Sequence, residues 1–385
     1  MCMLTTGILA SFSAAGRAGP RLALPLLLLL STLTHAQAEA PTFDEIVRQA
    51  DAARQTNQFS LATDLYTQAL GMHPDWSDGW WSLAMLQYKT GAYAQSRDAL
   101  THFLALQPQA GPGFAFRGMC EFETGEYKQS LDDLRQGLAL QATTDPQNQG
   151  VLRFHVALLL ALRGDFEAAL TEYLPFARDG VKDQDVLIGI GLAGLRIAVL
   201  PKDLKADLRE LALDAGSATA HAMAGNEDDA EREFNALFGR YPKAQNLHYL
   251  RGYLLFKNDP GRATEEFKRE LDVTPANPSA EMMLAWCLLM QSDPTGALPY
   301  AQKAASAEPE APAAQLVLGR SLLETNAVQA GLEHLQTAVK LDPDNLEIHL
   351  ALVKAYSLLG NKSDAQQERT RCLALTRNEA PIGRP

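Results

Sequence analysis

One glycine pattern in the sequence has the spacing of a nucleotide-binding turn. Gly189, Gly191 and Gly194 follow the apolar residues 186–188 as G-x-G-x-x-G. In a dinucleotide-binding turn such glycines join a strand to a helix, so that a pyrophosphate reaches the helix N-terminus. That chemistry needs a strand–helix–strand unit, and the sequence gives no sign of a second parallel strand. Glycines also let two helices pack closely, and this is the interpretation we favour.

Histidine and cysteine, the other residues with obvious chemistry, lack the spacing of a reactive or metal site. Seven histidines lie beyond residue 38, and none forms an H-E-x-x-H pattern. His248 and His349 occupy equivalent positions in two of the repeating units described below, where we expect their side chains to pack against neighbouring residues. Of the four cysteines, Cys2 lies before residue 38, and the remaining Cys120, Cys287 and Cys372 are an odd number without Cys-x-x-Cys. We therefore expect buried thiols rather than disulfides or a zinc site.

Catalytic signatures are also missing from the sequence, which has no G-x-S-x-G elbow, S-x-x-K motif or phosphate-binding G-x-x-x-x-G-K loop. We therefore predict a protein that is not an enzyme and that uses no cofactor or metal. The alternative is a ligand-binding or enzymatic module within residues 145–210, where the sequence pattern described below is broken.

Composition sets the broad class. The 385 residues include 34 Lys and Arg against 46 Asp and Glu, a formal net charge of −12. Hydrophobic residues make up 46% and charged residues 21%, which is ordinary for a globular protein and excludes collagen or a fully disordered chain. The acidic surplus argues against nucleic-acid binding, which requires Lys and Arg to neutralise phosphates.

The first residues have the pattern of a targeting segment. Arg17 and Arg21 are the only Lys, Arg, Asp or Glu residues before Glu39, and an apolar run covers residues 22–30. With the A-x-A sequence at 36–38, this predicts a signal peptide over residues 1–38 that is cleaved after Ala38. The run is about half the length of a membrane-spanning helix. We therefore expect an exported protein, periplasmic or secreted and most compatible with a bacterial envelope, with no stable membrane span after cleavage.

A repeat governs the rest of the chain. Prolines recur at intervals of 33 or 34 residues, at positions 74 and 108 and again at 242, 275, 309 and 343. Before Pro74, the residues Ala62, Tyr66 and Ala69 are spaced four and then three apart, which places them on one face of a helix. Equivalent residues precede the later prolines, and glycine-marked turns separate each such helix from an earlier one. The pattern predicts helix–turn–helix units that end at proline.

A 34-residue helix–turn–helix unit with small residues at the helix crossings resembles the tetratricopeptide repeat. The resemblance implies an all-α fold, a right-handed superhelical solenoid of about nine to ten repeats. The units are predicted to start near Phe43, Ser77, Gly111, Gly150, Leu211, Gln245, Pro278, Pro312 and Leu346.

The repeat divides the chain beyond the signal peptide into four segments. Residues 39–180 would hold four repeats, and residues 211–376 would hold five. Between them, residues 181–210 break the period, with an apolar helix expected over Val186–Leu200 as an insertion or degenerate repeat. Residues 377–385 would form a flexible tail.

The resemblance also implies where a partner binds, because the first helices of such units line a concave groove. We therefore predict a protein–protein interaction scaffold that holds a peptide or protein segment there. Positions two, five, nine, twelve and thirteen of the first helices offer Trp81, Met85, Tyr88, Lys89, Met119, Phe122, Asn246, Tyr249, Tyr253, Met282, Trp286, Met290 and Arg320. The alternative is that these side chains pack inside the solenoid or against the inserted apolar helix. Neither the partner nor the oligomeric state can be inferred.

Overall fold

The computed structural model describes residues 40–379, and these residues fold into nineteen α-helices and one 3-10 helix. They divide into two compact units, residues 40–173 and 174–379, with the division inside a helix. The predicted signal peptide lies outside the described residues. None of the helices in the described part is long and apolar enough to span a membrane.

The first unit is built from helices that follow one another at short intervals. In chain order they are α1 (Phe43–Gln55), α2 (Phe59–Met72), α3 (Ser77–Lys89), α4 (Tyr93–Leu106), α5 (Gly111–Thr124), α6 (Tyr127–Ala139), α7 (Pro146–Arg163) and α8 (Phe166–Arg178), the last of which contains the division.

The second unit continues in the same manner after one additional helix, which packs on the helix that follows it. Its helices are α9 (Gln184–Gly194), α10 (Ala206–Met223), α11 (Glu227–Arg240), α12 (Leu247–Leu255), α13 (Pro260–Val273), α14 (Pro278–Met290), α15 (Pro294–Ala307), α16 (Pro312–Glu324), α17 (Val328–Leu341), α18 (Leu346–Leu358) and α19 (Lys362–Glu379), with a 3-10 turn at Pro201–Asp203.

Consecutive helices pack as antiparallel pairs, and each pair packs on the next within its unit. The all-α helix-pair architecture predicted from the repeat is confirmed. Six predicted unit starts coincide with the first residue of a helix, whereas α7 and α10 begin about one turn early. For α7 the cause is local, because the Asp145 side chain accepts a hydrogen bond from the Asn148 backbone and Pro146 favours the first helical position.

Small residues lie where paired helices cross. A Cβ added to Gly331 in α17 would lie 2.8 Å from the carbonyl oxygen of Gly319 in α16. Ala62 and Ala69 in α2 are fully buried on either side of Tyr66. The crossings are therefore close because the sequence supplies little or no side chain there, as the spacing of these residues predicts.

A side chain in the first turn of several first helices ties its unit to the preceding second helix. Trp80 Nε1 donates to the Pro74 carbonyl at 2.8 Å, and Gln315 Nε2 donates to the Pro309 carbonyl at 2.9 Å. His349 Nε2 lies 2.9 Å from the Pro343 carbonyl. Each proline lies in the linker, two residues beyond the end of a second helix, and its carbonyl is contacted by the fourth residue of the next repeat. The packing expected for His349 is confirmed.

The helix predicted over residues 186–200 is shorter than expected. α9 ends at Gly194, because Arg196 takes a left-handed conformation with φ +57° and the chain then turns toward Pro201. Within α9, a Cβ on Gly191 would lie 1.8 Å from the Ala212 carbonyl oxygen of α10. The glycine pattern therefore lies within a helix at a helix–helix contact, and the strand that a dinucleotide-binding turn requires is not formed.

The structure bears on the inserted segment and on the C-terminal tail that the sequence predicts. The divisions placed at residues 180 and 210 stay predictions. The inserted segment contains α9, the 3-10 turn and the first residues of α10. α19 extends to Glu379, so residues 377–379 of the predicted tail are helical, and the remaining tail residues lie outside the described part.

Candidate partner-binding face

The predicted groove residues lie on the first helices, except Asn246, which precedes the first residue of α12. We call the residues at positions two, five, nine, twelve and thirteen of the repeats, counted from the predicted repeat starts, the first-helix face. In the first unit, Trp81 and Met85 are half-buried and Lys89 is exposed. Tyr88, Met119 and Phe122 are buried. The last three are packed side chains in this conformation, and their role in binding stays a prediction.

Aromatic contacts explain why Trp81 and Tyr88 are not fully open to solvent. The ring of Phe116 in α5 lies 5.6 Å from that of Trp81 and 5.3 Å from that of Tyr88, both edge-on. Phe103 of α4 lies 5.2 Å from Trp81 on the other side. Phe116 occupies position six, which the groove positions omit, so the sequence analysis missed it. Aromatic pairs of this geometry fix the neighbouring first helices α3 and α5 against each other.

A cleft of about 370 Å³ opens beside this cluster. Its floor is apolar, with Met119 and Leu152 among the lining side chains, and its rim is polar. Three of the lining residues, Pro112, Ala115 and Met119, occupy positions two, five and nine of the third repeat. The cleft therefore opens on the first-helix face of the first unit.

In the second unit, part of the first-helix face is covered by the chain itself. Asn246 Nδ2 donates to the Leu195 carbonyl at 3.0 Å. The guanidinium carbon of Arg196 lies 5.0 Å from the centroid of the Tyr249 ring. The turn that follows α9 thus covers positions two and five of the sixth repeat, as one of the alternative interpretations proposed. Tyr253, at position nine, is half-buried.

Farther along the second unit, the first-helix face is open. Met282, Trp286 and Arg320 are half-buried, and Met290 is 49% exposed. The guanidinium carbon of Arg320 lies 4.6 Å from the centroid of the Trp286 ring, a cation–π contact. Arg320 has no ion pair with a carboxylate among the described residues, so its N–H groups are available to a partner.

The neighbouring ninth repeat supplies residues of the first-helix face that the sequence analysis did not name. Leu350 in α18 is 53% exposed, although it is a large aliphatic residue. Lys354 forms an ion pair with Glu324 of α16. These residues and Arg320 line a second cleft of about 310 Å³. Leu350 and Lys354 occupy positions five and nine of the ninth repeat, where the position rule would have found them, and Glu324 occupies position thirteen of the eighth repeat.

The cysteines are in the state expected from the sequence. Cys120, Cys287 and Cys372 are free and buried. Burial raises the pKa of both Cys120 and Cys287 to about 11, so these thiols are neutral at physiological pH. Because the thiolate is the reactive form, they are structural groups. Over residues 40–379 there is also no His, Cys, Asp and Glu cluster that could hold a metal ion.

His248 and His349, which occupy equivalent positions in two repeats, likewise act in packing. His248 stacks on Phe238 with ring centroids 4.2 Å apart, and its Nδ1 lies 2.7 Å from Glu266 Oε2. His349 Nδ1 lies 2.5 Å from Glu368 Oε2. In both repeats, the histidine of the first helix contacts a carboxylate of the second helix. This contact joins the two helices of the pair.

Stacked helix pairs, small residues at their crossings and an open face on the first helices define a helical repeat protein. The family model described as tetratricopeptide repeat matches residues 47–113, 253–312 and 291–346. The chain therefore contains tetratricopeptide repeats, in matched segments of both compact units.

Other comparisons concern parts of the chain. No curated protein matches it. Among solved structures, it is similar to MamA from Desulfovibrio magneticus RS-1, with 22% identity, 44% of this chain and 96% of that chain covered, and a TM-score of 0.40. It is also similar to YrrB, described as a TPR protein with an unusual peptide-binding site, with 18% identity, 42% and 84% coverage, and a TM-score of 0.37.

Proposed function

We propose that this chain is a non-catalytic interaction scaffold that holds a peptide or protein segment on its first-helix face. The observation that carries the proposal is the open stretch from Trp286 to Leu350. It combines a cation stacked on an indole ring with exposed aliphatic side chains and a cleft between α16 and α18. Exposed apolar side chains beside aromatic and arginine groups are typical of protein interfaces.

The arrangement suits an extended segment. Met290, Arg320 and Leu350 come from three successive first helices, so their side chains present apolar, cationic and apolar contacts in that order. An extended chain carries side chains at regular intervals, and such a row can bind several of them at once. The half-buried Trp286 supplies a rigid aromatic surface, and residues of this type often dominate binding energy.

The proposal is tested by a charge placed on the face and a matched charge placed elsewhere. Leu350→Glu introduces a carboxylate on the first-helix face, and we expect it to weaken partner capture by at least about tenfold. Leu373→Glu is the control, because Leu373 is 60% exposed on the second helix α19. Tagged chains are used to isolate partners from native extract, with mass spectrometry for identification. Equal capture by both variants would refute the proposed face.

We also propose that the protein acts after export, on the strength of the basic, apolar and A-x-A segments of residues 1–38. Intact-mass measurement of the protein from its native source tests this proposal. We expect a chain that begins at Glu39 and that is recovered with the extracytoplasmic fraction. A chain that retains residues 1–38 and stays in the cytoplasmic fraction would contradict it.

A further inference from the structure

The cleft in the first unit lies at a junction where the linker between repeats is longer than the usual four residues. Four residues link the second helix of one unit to the next first helix at 73–76, 107–110, 274–277, 308–311 and 342–345. Before α7 the linker has six residues, 140–145, as does the linker before α12, 241–246. The linker before α7 turns at Gln141, where φ is +51°, and its residues 141–145 form one wall of the cleft.

The floor of the cleft suits an aromatic side chain. Phe116 and Met119 are almost completely buried, at 8% and 2% exposure, and they line the cleft with Leu152. A ring placed there would contact a phenylalanine ring and a thioether, both of which interact favourably with aromatic groups. The volume of about 370 Å³ is enough for one such side chain and part of its backbone.

The rim of the cleft suits a peptide backbone and a positive charge. The side-chain amides of Gln141 and Asn148 have no hydrogen-bond partner among the described residues, so they are available to peptide N–H and C=O groups. Asp145 is the only ionisable residue among those that line the cleft. A cationic neighbour of the bound ring would therefore meet a carboxylate, whereas an acidic neighbour would be repelled.

We propose that the cleft between α5 and α7 binds a peptide segment in which an aromatic residue adjoins a lysine or arginine. The ring occupies the floor formed by Phe116, Met119 and Leu152, and the basic side chain lies beside Asp145. This inference rests on the proposed function for the peptide nature of the ligand, but it uses a different unit and different residues.

The test measures binding of fluorescein-labelled heptapeptides to the purified protein by fluorescence polarisation. Four blocked peptides differ only in their two central residues, which are Phe-Arg, Phe-Ala, Phe-Glu or Ala-Arg in a Gly-Ser background. We expect the Phe-Arg peptide to bind about three- to fivefold more tightly than Phe-Ala, and Phe-Glu more weakly still. The Ala-Arg peptide should lose at least about tenfold, which separates the cleft from general attraction to an acidic surface.

Two variants and one control variant test whether the peptide binds in the cleft. Thr144→Trp, at an exposed rim residue, fills the space and should abolish Phe-Arg binding, while Gln109→Trp in the equivalent four-residue linker should leave it unchanged. Asp145→Asn should reduce Phe-Arg binding to the Phe-Ala level, because asparagine still caps α7 but carries no charge. Circular dichroism verifies the fold of each variant.

Several outcomes would overturn the inference. These are equal affinity for all four peptides, unchanged binding by Thr144→Trp, or no saturable binding of the Phe-Arg peptide at about 1 mM. The proposed function is judged separately by the effect of Leu350→Glu on partner capture. If that effect persists while the peptides fail to bind, the scaffold function stands and only the aromatic–basic cleft is rejected.

Discussion

Arg320 of α16 lies over the indole ring of Trp286 of α14, with 4.6 Å between its guanidinium carbon and the ring centroid. The two residues occupy position nine of successive first helices, so the repeat itself brings them together. The contact holds the guanidinium against the ring, and no carboxylate among the described residues pairs with its N–H groups. A cation fixed in this way loses less conformational freedom when a partner binds.

Replacing Arg320 with Leu should therefore affect binding more than stability. We expect Arg320→Leu to reduce capture of the native partner severalfold, while the free energy of unfolding falls by no more than about 1 kcal/mol through loss of the cation–π contact. Trp286 fluorescence should report the change in its surroundings. Arg369→Leu is the control, because Arg369 is an exposed arginine on the second helix α19. Loss of binding with both variants would point to general charge effects.

The glycine contact between α9 and α10 predicts a large effect on stability. A Cβ at Gly191 would lie 1.8 Å from the Ala212 carbonyl oxygen, and the backbone of a helix moves only at a cost. We expect Gly191→Ala to lower the free energy of unfolding by about 3 kcal/mol or more. Urea denaturation followed by circular dichroism measures it.

Gly239→Ala is the matched control for Gly191→Ala. Gly239 is also within a helix, α11, but a Cβ there would meet no atom within 4 Å. Alanine should therefore stabilise this helix by about 0.5–1 kcal/mol. A similar loss of stability in both variants would show that the contact between α9 and α10 is not the cause.

The repeat made most of this fold predictable from the sequence. Proline spacing and small residues place the helix pairs, because these features act within one unit or between neighbouring units. The contact of Asn246 with Leu195 was not predictable in the same way. It joins residues 51 positions apart and depends on where the chain turns after α9, which the left-handed conformation of Arg196 decides.

The candidate site was predictable only in part for a related reason. The position rule identified Trp286, Arg320 and Met290, which lie on an open stretch of the first-helix face. It also selected Met119 and Tyr249, which are buried in the structure. The rule considers only the direction in which a side chain points from its own helix, and it takes no account of the neighbouring segments that cover that side chain. The cleft in the first unit depends on two additional residues in a linker. A rule based on positions within the repeat does not detect such a difference in linker length.

The buried thiols predict slow modification. Because burial raises the pKa of Cys120 and Cys287 to about 11, few thiolates exist at pH 8 and access is limited. We expect reaction with 5,5′-dithiobis(2-nitrobenzoic acid) to be at least about a hundredfold slower in the native protein than in guanidinium chloride. Peptide mapping after brief labelling identifies each site. Rapid native labelling of Cys120 would contradict structural burial.

A buried carboxyl in the first unit makes stability depend on pH. Glu121 of α5 is 6% exposed, and its Oε2 has no hydrogen-bond partner among the described residues. Burial is the largest cause that raises its pKa to about 8, and the negative charge of Asp133 adds to the effect, while Arg117 and Arg97 oppose it. Asp133 is itself paired with Arg117, and Glu126 with Arg97, so neither arginine is fully available to Glu121.

This shift fixes the sign of the pH dependence. The folded pKa of Glu121 lies above its value in the unfolded chain, about 4.5, so the folded state favours the neutral form. Its contribution to stability is fully present below pH 4.5 and is lost as the pH rises toward 8. We therefore expect Glu121→Gln to raise the free energy of unfolding at pH 8 by about 1–3 kcal/mol, with little effect at pH 4.5. Urea denaturation at both values measures this, with Glu123→Gln on the exposed side of α5 as the control. A gain that is the same at both pH values would contradict ionisation of Glu121 as its cause.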